Sequence, residues 1–118
     1  MDLAAKLQIK PGSQVAVVAA RPDGPDLSEL GPHAQDPDTA DAVIAFVSRA
    51  AELIDSAAPA VAAARAGRLA WIAYPKAGQL GTDINRDSLA AAVSELGVRP
   101  VRQVALDAVW SALRFRPA

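Results

Sequence analysis

The chain of 118 residues contains no cysteine. Disulfides, thiolate nucleophiles, zinc–cysteine sites and iron–sulfur clusters are therefore excluded. There is a single histidine, His33. With no G-x-S-x-G elbow beside it, a hydrolase triad has nothing to be built from. No P-loop, no G-x-G-x-x-G and no H-E-x-x-H occurs. Neither charge sign is in excess, the formal net charge being -1. That argues against nucleic acid as a partner, since such binding needs a basic surface to neutralise phosphates. No apolar run approaches the roughly 18 residues of a membrane span. The opening "MDLAAKLQIKPG" lacks the basic start and long apolar stretch of a signal peptide. The expectation is a cytoplasmic protein with no membrane partner and no cofactor.

Aromatic residues are also scarce, at 4%. Hydrophobic residues nonetheless make up 52% of the chain, much of it alanine, and charged residues 21%. This is an ordinary balance for a globular protein. The core must be built from small and branched aliphatic side chains, with Phe46, Trp71, Tyr74, Trp110 and Phe115 as its few large pieces. The length fits one domain, residues 1–118, of modest stability. A homodimer would add buried area, although nothing in the sequence demands one.

Three near-continuous apolar runs read as buried strands: Ser13 to Ala20, Asp41 to Ser48 and Leu69 to Tyr74. "DLAAKLQI" reads as a short helix capped by Asp2. "RPDGPDLSELGP" is so broken by proline and glycine that it leaves room only for a helical turn at Pro25 to Leu30. A brief edge strand fits near His33 to Gln35. Ala50 to Ala66 has helical spacing, with Leu53, Ile54, Ala57 and Val61 on one face. Pro59 inside it is expected to kink or split the helix. Asn85 to Leu96 is the next helix, with Leu89, Val93 and Leu96 at i, i+4 and i+7. The tail reads as two strands, Val101 to Leu106 and Trp110 to Arg116, joined by the three residues "DAV" as an antiparallel hairpin. Strands alternating with helices imply a three-layer α/β sandwich with a mostly parallel, Rossmann-like sheet, to which the hairpin is added.

In such sheets ligands bind beyond the carboxyl ends of the parallel strands. Those ends carry Arg21, Arg49 and Lys76, and Arg86 lies at the start of the following helix. The residues put forward for a small anionic ligand are Lys76, Arg86, Thr82, Asp83 and Arg21. Helix N-termini would add amide donors and the positive end of a dipole. The other reading is of solvated loop charges. Thr82 and Asp83 can also be explained as caps of the helix that follows them. "DPDTAD", with Asp36, Asp38 and Asp41, lacks the ligand number and the glycine turn of a calcium loop, so a solvated turn is expected and no metal site.

One resemblance extends over most of the chain. Its residues are Tyr74-Pro75-Lys76, Thr82-Asp83, Arg86-Asp87, and the terminal pattern Asp107, Trp110, Ser111 and Arg114. In these the chain resembles a family of small bacterial proteins of unknown function. More broadly, "DAVIAFV", a helix, "GRLAWIAYP" and the hairpin "QVALDAVWSALRF" resemble the second half of a Rossmann-like methyltransferase domain. The resemblance implies a truncated fold of that type, whose terminal hairpin inserts its last strand into the sheet. It does not carry the activity over, because the glycine-rich cofactor loop is replaced by "VVAARPDG" and the acidic ribose-binding position has no equivalent. Three functional readings follow: a small-molecule-binding protein, an interaction module using an exposed sheet edge, and a divergent methyltransferase-like enzyme.

Overall fold

The computed structural model describes the chain apart from residues 1, 22, 26, 28, 29 and 31–35. In chain order it forms α1 (Leu3–Lys6), β1 (Val15–Val18), β2 (Ala42–Phe46), α2 (Leu53–Arg65), β3 (Leu69–Pro75), α3 (Arg86–Ser94), β4 (Val98–Ala105) and β5 (Trp110–Pro117). A 3-10 turn, Ala50–Glu52, leads into α2. The edge strand expected near His33 to Gln35 lies outside the described residues. Half of the helical turn expected at Pro25 to Leu30 lies outside them too, although the Leu30 N–H donates to the Leu27 carbonyl at 3.1 Å.

The strands form one five-stranded sheet in the order β1-β2-β3-β5-β4. β1 pairs with β2 and β2 with β3 in parallel, whereas β5 lies antiparallel to both β3 and β4. The mixed α/β class is as expected, but the mostly parallel sheet is not. The two antiparallel ladders are the longer ones, because β4 and β5 have 8 residues each while β1 and β2 have 4 and 5. The apolar run at β1 stops short at Val18 because Ala19 takes a left-handed conformation, φ 57°. Such a conformation costs an L-residue about 1–2 kcal/mol and ends a ladder. The last strand inserts between β3 and β4. It therefore has neighbours on both sides and is buried from Trp110 to Leu113.

Two boundaries differ from the sequence reading for local reasons. β4 begins at Val98, three residues earlier than expected, and runs through Pro100. Proline is tolerated there because β4 is the outermost strand and its ladder is already irregular between Pro100 and Arg102. The hairpin connection is then Leu106 to Val109 rather than three residues. Asp107 shapes it, its Oδ1 accepting from the N–H groups of Val109 and Trp110, both at 2.7 Å. The second correction concerns α2, which continues unbroken through Pro59. Proline removes one donor, and the carbonyl that loses it belongs to Asp55, an exposed residue that water can serve. Packing of Ala57, Ala60, Val61, Ala63 and Ala64 against the sheet holds the helix together.

Both faces of the sheet are buried over β2, β3 and most of β5, while the edge strand β4 is largely exposed. On one, α2 and α3 cover Val43, Ala45, Ile72, Leu113 and Phe115. On the other, Leu7 and Ile9 beyond α1, with Leu27 and Leu30, cover Ile44, Phe46, Trp71 and Trp110. The second face has almost no helix, so large side chains fill it. Phe46 and Trp110 meet edge-to-face at 5.3 Å. The Trp71 and Trp110 indoles are tied down by carbonyls, Trp71 Nε1 donating to Leu7 and Trp110 Nε1 to Asp23, each at 3.0 Å. Gly24 lies against this ring system. A Cβ there would come 3.1 Å from the Arg21 carbonyl oxygen and 3.3 Å from the Phe46 ring.

Candidate functional site

The carboxyl ends of β1, β2 and β3 carry the polar residues expected there, but the fold divides them into two groups. The first lies where β1 and β2 end and α2 begins. Glu52 Oε1 accepts from the Ser48 N–H at 2.6 Å, the Ser48 hydroxyl at 3.0 Å and the Arg49 N–H at 3.3 Å, and it also pairs with the Arg21 guanidinium. Asp83 Oδ1 accepts from the Ala50 N–H at 2.7 Å. Arg49 Nη1 donates to the Gly81 carbonyl at 2.8 Å. The Thr82 hydroxyl donates to the Ser48 carbonyl at 2.6 Å and accepts from the Ile84 N–H at 3.1 Å.

The amide donors at the start of a helix favour an anion. Here the chain supplies that anion itself, through two of its own carboxylates. Hydrogen bonding to the ionised form and the nearby Arg21 charge hold the Glu52 carboxyl below the usual glutamate range, although its burial, the largest single influence, pushes the other way. Thr82 and Asp83 are thus engaged in joining the loop after β3 to the loop after β2, and Arg21 in joining the loop after β1 to the turn that opens α2. The expectation that Thr82 or Asp83 caps its own helix is corrected as well. α3 is capped by Asn85, whose Oδ1 accepts from the Ser88 N–H at 2.9 Å while the Ser88 hydroxyl accepts from the Asn85 N–H at 3.0 Å. Asp83 is too far from the start of α3 in sequence to reach its amides, and it reaches those of the neighbouring helix instead.

The second group surrounds an open hollow of about 310 Å³ between β3, β5 and the start of α3. Lys76 and Arg86 both line it, together with Tyr74, Asn85, Gln103 and Ser111. Arg21, Thr82 and Asp83 are not on its wall. Lys76 is placed by the end of β3, where its N–H donates to the Val109 carbonyl at 2.7 Å. Arg86 is the first residue of α3 and contacts Asp87 at 3.3 Å in an exposed pair. Such a pair is worth little in water and does not prevent Arg86 from meeting an anion.

The floor of the hollow was not legible from local sequence. Tyr74 faces Ser111 in the β3–β5 register, and Gln103 comes from the edge strand. Gln103 Nε2 donates to the Tyr74 hydroxyl at 2.9 Å, which leaves the phenolic proton free to be donated into the hollow. Ser111 is 4% exposed, and its hydroxyl makes no side-chain hydrogen bond among the described residues. Burial pushes the Tyr74 phenol up from its ordinary value, opposed by Arg86 and by the Gln103 hydrogen bond and reinforced by Asp87. The phenol thus stays protonated at neutral pH. The hollow therefore offers two cations, the exposed Asp87 carboxylate, two hydroxyl groups and the first turn of a helix.

In the turn at Asp36 to Thr39, Asp36 Oδ1 accepts from the Asp38 N–H at 2.9 Å. Asp41 Oδ2 accepts from the Gln14 N–H at 2.8 Å. Both carboxylates serve the backbone, as in a structural turn. Among the described residues no helix is long and apolar enough to cross a membrane. Compared with models of known protein families and with curated proteins, the chain matches none.

Proposed function

We propose that this chain binds a small anionic molecule in the hollow between β3, β5 and α3. The observation that carries the reading is the convergence of Lys76 and Arg86 on one concave surface with the Tyr74 and Ser111 hydroxyls. Lys76 acts as a compact charge and Arg86 as a planar fork for a carboxylate or phosphate. Tyr74 donates its free proton to the same anion, and Ser111 hydrogen-bonds the body of the ligand. The open shape of the hollow supports binding without catalysis.

The Rossmann-like reading of the sheet is part of this proposal. It is supported by the parallel β1-β2-β3 run and by a last strand that inserts antiparallel beside β3. The resemblance to small bacterial proteins rests instead on the motifs from Tyr74 to Asp87 and from Asp107 to Arg114. Binding of a nucleotide cofactor at the ends of β1 and β2 has less in its favour, since Glu52 already occupies the Ser48 and Arg49 amides after β2 and pairs with Arg21 after β1. The interaction reading concerns the short edge strand β1; at the opposite edge, β4, Pro100, the ladder irregularity and exposed arginines discourage strand pairing.

The test is thermal-shift screening with nucleoside monophosphates, sugar monophosphates and S-adenosylmethionine, none of which carries linked phosphate groups, since a ligand that prefers the native state raises the melting temperature. Lys76→Ala and Arg86→Ala abolish the shift while the unliganded melting temperature stays near that of the parent. A shift that survives in both variants rejects this site. Light scattering on the same samples reports self-association.

A further inference from the structure

Four arginines stand on one face of the C-terminal hairpin. Arg99 faces Arg116 and Arg102 faces Arg114 across β4 and β5. Directly opposed residues share a face, and Arg114 also faces Trp71 across β5 and β3. All four therefore lie on the Trp71 side of the sheet, opposite to α2 and α3. Arg99, Arg102 and Arg116 are exposed, and Arg114 is half-buried. The ion pairs among the described residues are Arg21–Glu52 and Arg86–Asp87, so none of these four has a carboxylate partner there.

Like charges directly opposite one another destabilise a sheet. Protection of an open edge accounts for arginines on β4. It does not account for Arg114 and Arg116, because β5 has a strand on either side. Arg114 is also incompletely satisfied. Its Nη1 donates to Gln8 Oε1 at 2.6 Å, but its Nε is buried without a partner. Burial, with the added repulsion of Arg116 and Arg102, lowers its pKa from the usual arginine value. Beside Arg114 opens a hollow of about 340 Å³ whose wall includes Lys10, Ser13 and Gln8. Asp41 also lines it, with its Oδ2 already engaged by the Gln14 N–H.

We propose that this face is a second anion site and that its ligand is an oligophosphate, a small molecule with two or more linked phosphate groups. Guanidinium groups bind phosphate oxygens in bidentate pairs. Opposed residues on paired strands are about 5 Å apart, and alternate residues along one strand about 7 Å. At such spacings the residues form two opposed pairs, Arg99 with Arg116 and Arg102 with Arg114, and a short linked row of phosphates offers each pair a phosphate of its own. The hollow has the size of a small-molecule site. The net charge of -1 leaves the rest of the surface with no general attraction for a long polyanion. The hollow's wall includes Ser13, Ala42 and Leu69, at or just before the starts of β1, β2 and β3. Lys76 follows the far end of β3, so the two sites are separate and this one does not depend on the other.

Titration calorimetry with inorganic tripolyphosphate tests the assignment. The parent protein binds it more tightly than orthophosphate, and added salt weakens the binding. Arg102→Gln/Arg116→Gln, a pair chosen because both side chains are exposed, weakens binding at least about tenfold. The melting temperature of this pair does not fall, since a repulsion has been removed. Arg99→Gln/Arg102→Gln, confined to the edge strand, gives the same reading if the first pair fails to fold. Lys76→Ala/Arg86→Ala leaves tripolyphosphate binding intact. The proposal is overturned by no binding to the parent, by equal affinity in the arginine variants, or by loss confined to the Lys76 and Arg86 variant. Binding of a single-stranded oligonucleotide without binding of tripolyphosphate also overturns it.

Discussion

The Asp83 carboxylate, in the loop after β3, accepts a hydrogen bond from the Ala50 N–H at 2.7 Å and so caps the turn that opens α2. Two loops 33 residues apart in sequence are joined by this bond. Replacing Asp83 with alanine leaves that amide without its acceptor and costs about 1 kcal/mol, the usual worth of a helix cap. Asp83→Asn retains part of it. Urea denaturation measures both, and ligand affinity at the Lys76 hollow is unchanged in either variant.

Glu52 makes stability sensitive to acid. Its carboxyl is held below its ordinary value of 4.5 in the folded protein, the burial that raises it being outweighed by bonds from Ser48 and Arg49 and by the Arg21 charge. A depressed value means that the folded state favours the ionised form. The contribution is fully present above the unfolded value and is lost as pH falls through the folded one. Glu52→Gln therefore lowers stability near neutral pH and flattens the decline below about pH 4.5. Denaturant midpoints across acid pH would show a parallel offset instead if Glu52 were not the group responsible.

Tyr74 is the only tyrosine, so ultraviolet titration reads it alone. The phenol ionises above its ordinary value of 10.0, chiefly because it is buried. Arg86→Gln removes a cation that favours the phenolate and moves the transition higher. Asp87→Asn removes an anion and moves it lower. Because the folded value is raised, this group's contribution to stability is fully present below the unfolded value and is lost as pH rises through the folded one. A transition at the ordinary value, indifferent to both variants, would contradict the placement of Tyr74.

Trp71 fills the sheet face that lacks a long helix and donates to the Leu7 carbonyl. Trp71→Phe removes that donor and leaves a void beside an unsatisfied carbonyl. The expected loss is about 2 kcal/mol by chemical denaturation. Arg86→Gln, on an exposed residue away from this core, stays within about 0.5 kcal/mol of the parent.

Pro59 interrupts the donors of a helix that persists through it. Proline costs a helix interior about 3 kcal/mol relative to alanine, and roughly 1 kcal/mol of that is recovered through the less flexible unfolded chain. Pro59→Ala is expected to raise stability by about 2 kcal/mol, with the helical circular dichroism of the folded protein unchanged because α2 is already continuous. No gain in stability would mean that the proline ring packs better than its half-buried position indicates.

Sequence alone determined the elements whose physics is local. The apolar runs at β1, β2 and β3, the spacing of Leu89 and Val93, and the five aromatics of the core depend on neighbours in sequence, and the structure places strands, helix and core there, with β1 shortened to Val15–Val18 and β2 to Ala42–Phe46. Strand ends also located Lys76 and Arg86, because both follow directly from where an element stops or starts. Gln103 and Ser111 could not be found in this way. They join Tyr74 through the register of a strand that returns from the chain end and inserts between two others, which no local pattern encodes. Arg21, Thr82 and Asp83 were read as available for a ligand because a sequence does not show which carboxylate or amide will come within bonding distance. Tertiary structure decided that Glu52 and Asp83 would occupy the amide donors at the start of α2. Hydrogen bonding is short-ranged and directional, so proximity in the folded chain settled which polar residues were left free.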